Sequence, residues 1–145
     1  MIRPFLQKDT DAVMDLWLHA NLEAHAFLPE DDWRQAQPQV RQAITQAQVW
    51  VFEEKGRILG FLGLTGDYVA GLFVRAEARS RGVGRQLLER SKAERDSLTL
   101  DVYQKNAGAV RFYLREGFSV REERTEESTG EAEYRMAWRR QDKCE

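Results

Sequence analysis

Residues 72–88 read Leu72-Phe73-Val74-Arg75-Ala76-Glu77-Ala78-Arg79-Ser80-Arg81-Gly82-Val83-Gly84-Arg85-Gln86-Leu87-Leu88. A short apolar strand runs through a basic turn with two glycines and enters an amphipathic helix. The first N–H groups of a helix have no partners within it, and Gly82 and Gly84 let an anion come close to that backbone. Arg79 and Arg81 add positive charge at the same point. The stretch predicts a phosphate-binding turn, with an ordinary strand-to-helix turn as the alternative.

The composition of the chain restricts its class. A chain of 145 residues has room for one compact domain, which we expect over residues 1–140 with a polar tail at 141–145. A formal net charge of −2 argues against general nucleic-acid binding. The apolar runs are far shorter than the roughly 20 residues that cross a bilayer, and the chain opens on a strand-like segment rather than a signal peptide. We therefore expect a cytoplasmic protein without membrane contact.

Cysteine and histidine are too scarce for a disulfide framework or a metal centre. The single cysteine, Cys144, falls in the predicted tail, and the two histidines are His19 and His25. A disulfide framework needs several cysteines, and a structural zinc site takes four ligands, mostly cysteine and histidine. We expect no bound metal.

The hydrophobic spacing predicts alternating strands and helices along the whole chain. Asp9 and Thr10 are expected to cap the first helix, Asn21 to interrupt it, and Asn106 to cap the last helix, which Gly117 ends. The predicted elements are strand 2–5, helix 10–20, helix 31–46, strands 49–52, 58–64 and 68–74, helix 82 to 91 or 95, strand 98–103, helix 106–114, and strands 118–124 and 133–138. Because a helix separates strands 68–74 and 98–103, we expect these two to be parallel neighbours with a cleft between their ends.

Two segments of the chain resemble the two sequence signatures of the GNAT superfamily of acetyl-CoA-dependent N-acetyltransferases, and they are spaced as in that family. The residues Arg79-Ser80-Arg81-Gly82-Val83-Gly84 are similar to the family's pyrophosphate-binding pattern, Q/R-x-x-G-x-G/A. The segment Asp101-Val102-Tyr103-Gln104-Lys105-Asn106, followed by Ala107, Ala109, Phe112, Tyr113, Glu116, Gly117 and Phe118, is similar to its second signature. The resemblance covers nearly the whole chain and is nearest to small stand-alone bacterial members, some of which acetylate protein lysines. It implies an α/β GNAT fold with a mixed central sheet of six to seven strands and about four helices.

The resemblance also implies roles for individual residues. It assigns the pantetheine arm of acetyl-CoA to Leu72, Phe73 and Val74. It assigns the pyrophosphate to the turn formed by Arg79, Ser80, Arg81, Gly82, Val83 and Gly84. Asn106 matches an asparagine that contacts the cofactor, and Tyr113 matches the tyrosine near the thioester sulfur that is the family's usual general acid.

The general base and the acceptor pocket are less well defined. Asp101 matches a position where some relatives have a glutamate, while other relatives place a carboxylate early in the preceding strand, where this chain has Tyr68. A structural carboxylate is the alternative for Asp101, and a packed side chain is the alternative for Tyr113. His25 and Phe27 fall where the family commonly builds its acceptor pocket, with a solvated loop as the alternative, and Tyr68 is a third candidate for acceptor binding.

The resemblance therefore implies an N-acetyltransferase that moves acetyl from acetyl-CoA directly to a primary amine, either a protein lysine or a small-molecule amine. The lone tail cysteine makes an acyl-cysteine intermediate an unfavourable route. The alternative is a non-catalytic acyl-CoA-binding regulatory module. A P-loop nucleotide-binding domain fits less well, because the turn lacks the Lys-Ser/Thr ending of that motif. The oligomeric state is open between monomer and homodimer.

Overall fold

The computed structural model describes residues 1–141. These residues form two compact units, one from Met1 to Arg90 and one from Ser91 onward. The elements are β1 Ile2–Pro4, α1 Thr10–Ala24, α2 Glu30–Gln46, β2 Gln48–Glu54, β3 Arg57–Thr65, β4 Tyr68–Val74, α3 Val83–Ala93, β5 Ser97–Tyr103, α4 Ala107–Arg115, β6 Ser119–Thr125 and β7 Ala132–Arg139. This is the predicted order, and among residues 1–141 no helix combines the length and apolarity needed to span a bilayer. The predicted tail, including Cys144, lies outside the described residues apart from Gln141, and the single domain over 1–140 stays a prediction.

The first unit contains a four-stranded antiparallel sheet in the order β1-β2-β3-β4. Every residue of β3 from Ile58 to Leu64 is buried. A strand covered on both faces reads as a continuous apolar run, which is why this segment shows no polar alternation.

Helices cover both faces of this sheet. On one face α1 and α2 enclose an apolar cluster that includes Val13, Trp17, Ile44 and Phe61. On the other face α3 lies so close to β3 that a Cβ on Gly60 would be 3.0 Å from Val83 Cγ1. The apolar positions Val83, Leu87 and Leu88 of α3 are buried, as the sequence predicts.

The first helix begins at Thr10 as predicted, but it differs from the prediction in where it ends and in the role of Asp9. It continues through Asn21 to Ala24, because the buried Asn21 side chain donates from Nδ2 to the Trp17 carbonyl oxygen at 2.9 Å and so has a partner inside the helix. Asp9 precedes the helix but its side chain does not cap it. Its carboxylate instead accepts hydrogen bonds from Arg3 and from the Leu6 N–H.

Replacing Asp9 by Asn is expected to lower the free energy of unfolding at pH 7 by about 1–3 kcal/mol, because the Arg3 guanidinium loses a charged partner. Asp9 is 5% exposed, and the hydrogen bonds from Arg3 hold the pKa of its carboxyl below the ordinary value. A lowered carboxyl pKa stabilises the fold above the unfolded-state pKa of about 3.9, and this stabilisation is lost as pH falls through the folded-state value. Urea unfolding should therefore show a difference between wild type and variant that shrinks in acid. Equal stabilities at pH 7 would contradict the assignment, and Asp31→Asn on the exposed start of α2 is the control.

The second unit is a three-stranded antiparallel sheet in the order β5-β7-β6, with α4 between β5 and β6 in sequence. The Asn106 side chain accepts a hydrogen bond from the Ala109 N–H at 3.3 Å, which confirms the predicted cap. Gly117 has φ +96°, and the next N–H, that of Phe118, bonds the Tyr113 carbonyl at 2.9 Å. The predicted left-handed end of α4 is therefore also confirmed.

Candidate active site

The basic turn after β4 has the backbone of an anion site. Two of its residues lie in the left-handed region, Ser80 with φ +64° and Gly82 with φ +82°. The first hydrogen bond of α3 runs from the Gln86 N–H to the Gly82 carbonyl at 3.0 Å, so the N–H groups of Val83 and Gly84 lie ahead of the helical ladder. A Cβ on Gly82 would have only Gln86 Nε2 near it, at 3.8 Å. The positive φ therefore accounts for glycine here, and the backbone is accessible to a ligand.

Both arginines of the turn are in ion pairs. Arg79 Nη2 lies 2.6 Å from Glu23 Oε1 near the end of α1, and Arg81 Nη2 lies 3.0 Å from Glu54 Oε1 at the end of β2. All four side chains are about half exposed. Arg75 differs, since its side chain is 19% exposed and its Nε donates to the Ile58 carbonyl at 2.8 Å. Arg79 and Arg81 are accessible to an anion, whereas Arg75 anchors the start of the turn.

The strand before the turn carries a β-bulge. Leu72, Phe73 and Val74 pair with Leu62, Phe61 and Gly60 of β3. Gly71 pairs with Gly63, but the next pair is Val69 with Leu64, so Ala70 is an extra residue on β4. Bulges bend a strand and recur next to active sites. The sequence analysis missed this bulge, and the glycines in both strands were its only available signal.

The packing around Phe73 also depends on glycine. A Cβ on Gly71 would fall 2.5 Å from Phe73 Cε2, so a larger residue there would displace the ring. The Phe73 ring lies 5.2 Å from that of Phe61. Gly71 thus allows β4 to keep its bulge and its aromatic contact together.

His25 and Phe27 are together in the segment between α1 and α2. The His25 ring stacks on Trp33 with centroids 5.3 Å apart and meets the edge of Phe27 at 5.7 Å. Burial lowers the pKa of His25 to about 4, so the imidazole is neutral at pH 7. Asn21 Nδ2 is used on Trp17, so Asn21 Oδ1 accepts from His25 Nδ1, 2.9 Å away. The segment is an aromatic cluster rather than a solvated loop, and its role in acceptor binding stays a prediction.

Tyr68 begins β4 and pairs with Thr65 of β3. Its side chain is half-buried. Its predicted contact with the acceptor stays a prediction.

In the second unit, α4 places Tyr113 on its buried face. The side chain is 8% exposed, and its ring meets those of Phe112 and Phe118 at centroid distances of 5.2 and 5.5 Å. Burial raises the pKa of its phenol above the ordinary value. The phenol therefore stays protonated through the neutral range, as a hydrogen-bond donor must.

Asp101 is engaged by two arginines. Its Oδ1 accepts from Arg135 Nε and from Arg124 Nη2, both at 3.0 Å, and its Oδ2 accepts from Arg135 Nη2 at 2.9 Å. These partners lie on β7 and β6 and stabilise the ionised carboxylate. Protonation of Asp101 would weaken three charge-assisted hydrogen bonds. The base role of Asp101 stays a prediction, and these contacts count against it and favour the structural alternative.

Comparison with known proteins decides the family. Residues 45–120 match the Acetyltransferase (GNAT) domain. The chain is also 35% identical over 140 residues to the peptidyl-lysine N-acetyltransferase YiaC of Escherichia coli K12, a match that covers 95% of this chain and 96% of that one. The chain belongs to the GNAT acetyltransferase family.

Two further comparisons, both with YjaB, agree with GNAT membership. Peptidyl-lysine N-acetyltransferase YjaB of Escherichia coli K12 is 30% identical over 120 residues, which cover 82% of each chain. The solution structure of apo YjaB from Escherichia coli superposes with a TM-score of 0.84 and 26% identity over 95% of this chain and 96% of that one. The predicted GNAT fold and the predicted class of enzyme, an N-acetyltransferase, are confirmed.

The GNAT comparison leaves the individual site roles as predictions, and the structure adds residues that the sequence analysis did not name. Glu23 and Glu54 lie against the turn arginines, and Arg124 and Arg135 lie against Asp101. Each of these partners is distant in sequence from the residue it contacts. No spacing rule in the sequence relates them.

Proposed function

We propose that this GNAT acetyltransferase transfers acetyl from acetyl-CoA to the side-chain amine of lysine in a protein. The donor half of the proposal rests on the turn before α3. The acceptor half rests on the curated relatives, which are named peptidyl-lysine N-acetyltransferases at 35% and 30% identity. The cytoplasmic location and the monomer or homodimer state expected from the sequence stay predictions.

The single observation that carries the proposal is the backbone of the turn. Left-handed residues at Ser80 and Gly82 turn the chain into the open N-terminus of α3, with two exposed guanidiniums beside it. This arrangement suits a pyrophosphate, because helix N-termini and arginines both favour anions. Arg79 to Gly84 would bind the pyrophosphate, Leu72 to Val74 would follow the pantetheine arm, and Asn106 would contact the same molecule.

The aromatic cluster between α1 and α2 suits a lysine acceptor. His25, Phe27 and Trp33 are each half-buried, and their exposed parts offer apolar surface to the methylene stem of a lysine. His25 is neutral at pH 7, because burial lowers its pKa to about 4. The cluster therefore does not repel an incoming ammonium group.

Transfer requires a neutral amine and a stabilised leaving group. A lysine amine has a reference pKa of about 10.4, so its neutral form at pH 7 costs about 4.6 kcal/mol. Asp101 is a poor candidate to take that proton because of its arginine partners, and we assign the base to no residue. We propose that Tyr113 donates a hydrogen bond to the departing sulfur and that a backbone N–H of the Leu72–Val74 strand faces the tetrahedral oxyanion.

A thiol-release assay tests the proposal. The purified protein should release CoA from acetyl-CoA when given a peptide with a blocked N-terminus and one internal lysine, and mass spectrometry should show one added acetyl group. The same peptide with arginine in place of lysine is the matched control and should give background release. CoA binding in calorimetry without thiol release on any of a panel of lysine peptides and small amines would instead favour the non-catalytic acyl-CoA-binding module.

A further inference from the structure

The cofactor turn has its own counter-charges. Arg79 occupies the Q/R position of the family's pyrophosphate pattern, and Arg81 lies two residues later in the same turn. Each is paired with a carboxylate from another element, Glu23 on α1 and Glu54 on β2. The nitrogen–oxygen distances of the two ion pairs are 2.6 and 3.0 Å, and Arg81 Nη2 donates a hydrogen bond to Glu54 Oε1. In the free protein both guanidiniums therefore have an anionic partner.

These pairs lie at the surface and can be exchanged. Arg79 and Arg81 are 45% and 52% exposed, and Glu23 and Glu54 are 54% and 43% exposed. Exposed ion pairs are weak, typically below 1 kcal/mol, so a polyanion can displace a carboxylate at little cost. The carboxylates remain close to the bound anion after displacement and repel it.

We propose that Glu23 and Glu54 are positioning residues that weaken the binding of CoA and acetyl-CoA, by competing with the phosphates for Arg79 and Arg81. The proposal rests on the proposed function, since it takes the turn to be the phosphate site. Substrate and product carry the same phosphates, so the two carboxylates act on both alike. Such uniform weakening raises KM and speeds the departure of CoA without altering the chemical step.

Other exposed ion pairs of the first unit lie away from the pyrophosphate pattern. One joins Arg57 and Glu77. A second joins Arg34 and Glu30 on α2, at 2.7 Å. Neutralising Glu30 removes the same unit of charge from the protein as neutralising Glu23, and so separates a local effect from one of net charge.

Calorimetric titration with CoA tests the proposal on wild type, Glu23→Gln, Glu54→Gln, the double variant and Glu30→Gln. Each single variant at the turn should bind CoA roughly 2- to 5-fold more tightly, and the double variant by about the product of the two, since the carboxylates pair with different arginines. Glu30→Gln should bind as wild type does. The double variant should also lose affinity more steeply with added salt, because the two carboxylates that offset the charge of Arg79 and Arg81 in wild type are gone.

Pantetheine supplies the second measurement, because it has the thiol arm and no phosphate. Its competitive inhibition constant against acetyl-CoA, measured from the acetylated peptide by mass spectrometry because pantetheine is itself a thiol, should be the same in wild type and double variant. If wild type binds CoA and the Glu23 and Glu54 variants bind it no more tightly, the inference is overturned and the proposed function is not. Equal tightening by Glu30→Gln would also overturn it, and absence of CoA binding by wild type would overturn the proposed function together with the inference.

Discussion

Replacing Gly82 by Val is expected to weaken acetyl-CoA binding by roughly 100-fold, about 2.7 kcal/mol. Gly82 has φ +82°, which a β-branched residue avoids, so the variant must move the turn away from its present backbone. That movement redirects the N–H groups at the start of α3, each of which would contribute about 1.5–3 kcal/mol as a hydrogen bond to a charged phosphate. Calorimetry with acetyl-CoA measures the loss directly.

A matched variant separates ligand binding from backbone strain. Gly56, in the turn between β2 and β3, has φ +77° and open space around the position of a Cβ. Gly56→Val should lower the free energy of unfolding by an amount similar to Gly82→Val, about 1–2 kcal/mol, and leave acetyl-CoA affinity unchanged. If Gly82→Val kept wild-type affinity for acetyl-CoA, the assignment of the pyrophosphate to this turn would be wrong. If Gly82→Val and Gly56→Val lost the same acetyl-CoA affinity, destabilisation of the fold would account for the effect.

Local signals explain which parts of this structure the sequence could predict. The ends of α4 are specified by Asn106 and Gly117, whose side chain and positive φ act on residues a few positions away, and both predictions are confirmed. The predicted end of α1 was wrong, because Asn21, a residue type common where helices stop, hydrogen-bonds to a carbonyl of its own helix. The predicted capping role of Asp9 was also wrong, because Arg3 on β1 takes its carboxylate as a hydrogen-bond acceptor.

The candidate site divides in the same way. The turn could be predicted because glycine spacing, basic charge and the start of a helix all lie within one short segment. The counter-charges Glu23 and Glu54, and the arginines at Asp101, reach their partners only through the fold. The bulge at Ala70 depends on the register between β4 and β3, which composition does not specify.

Replacing Tyr113 by Phe is expected to lower kcat by roughly 100-fold and to leave acetyl-CoA affinity nearly unchanged. The ring keeps its contacts with Phe112 and Phe118, so the fold should be as stable as wild type. Only the phenol O–H, the proposed donor to the leaving sulfur, is lost. Single-turnover rates and calorimetry on the same preparations separate the two effects. Tyr134→Phe is the control: Tyr134 is a half-buried residue of β7, and this variant should keep the wild-type rate.

The raised pKa of Tyr113 defines what its hydroxyl can contribute. A thiol near 8.5 leaves as thiolate, and a phenol at the ordinary value of about 10 would already transfer its proton uphill by about 2 kcal/mol. Burial raises the pKa of Tyr113 further and widens that gap. The hydroxyl should therefore act by hydrogen bonding to the thiolate, and its ionisation should not limit kcat anywhere between pH 7 and about 10. A basic limb in the kcat profile of wild type that lies within this range and disappears in Tyr113→Phe would contradict the assignment, as would a variant with wild-type turnover.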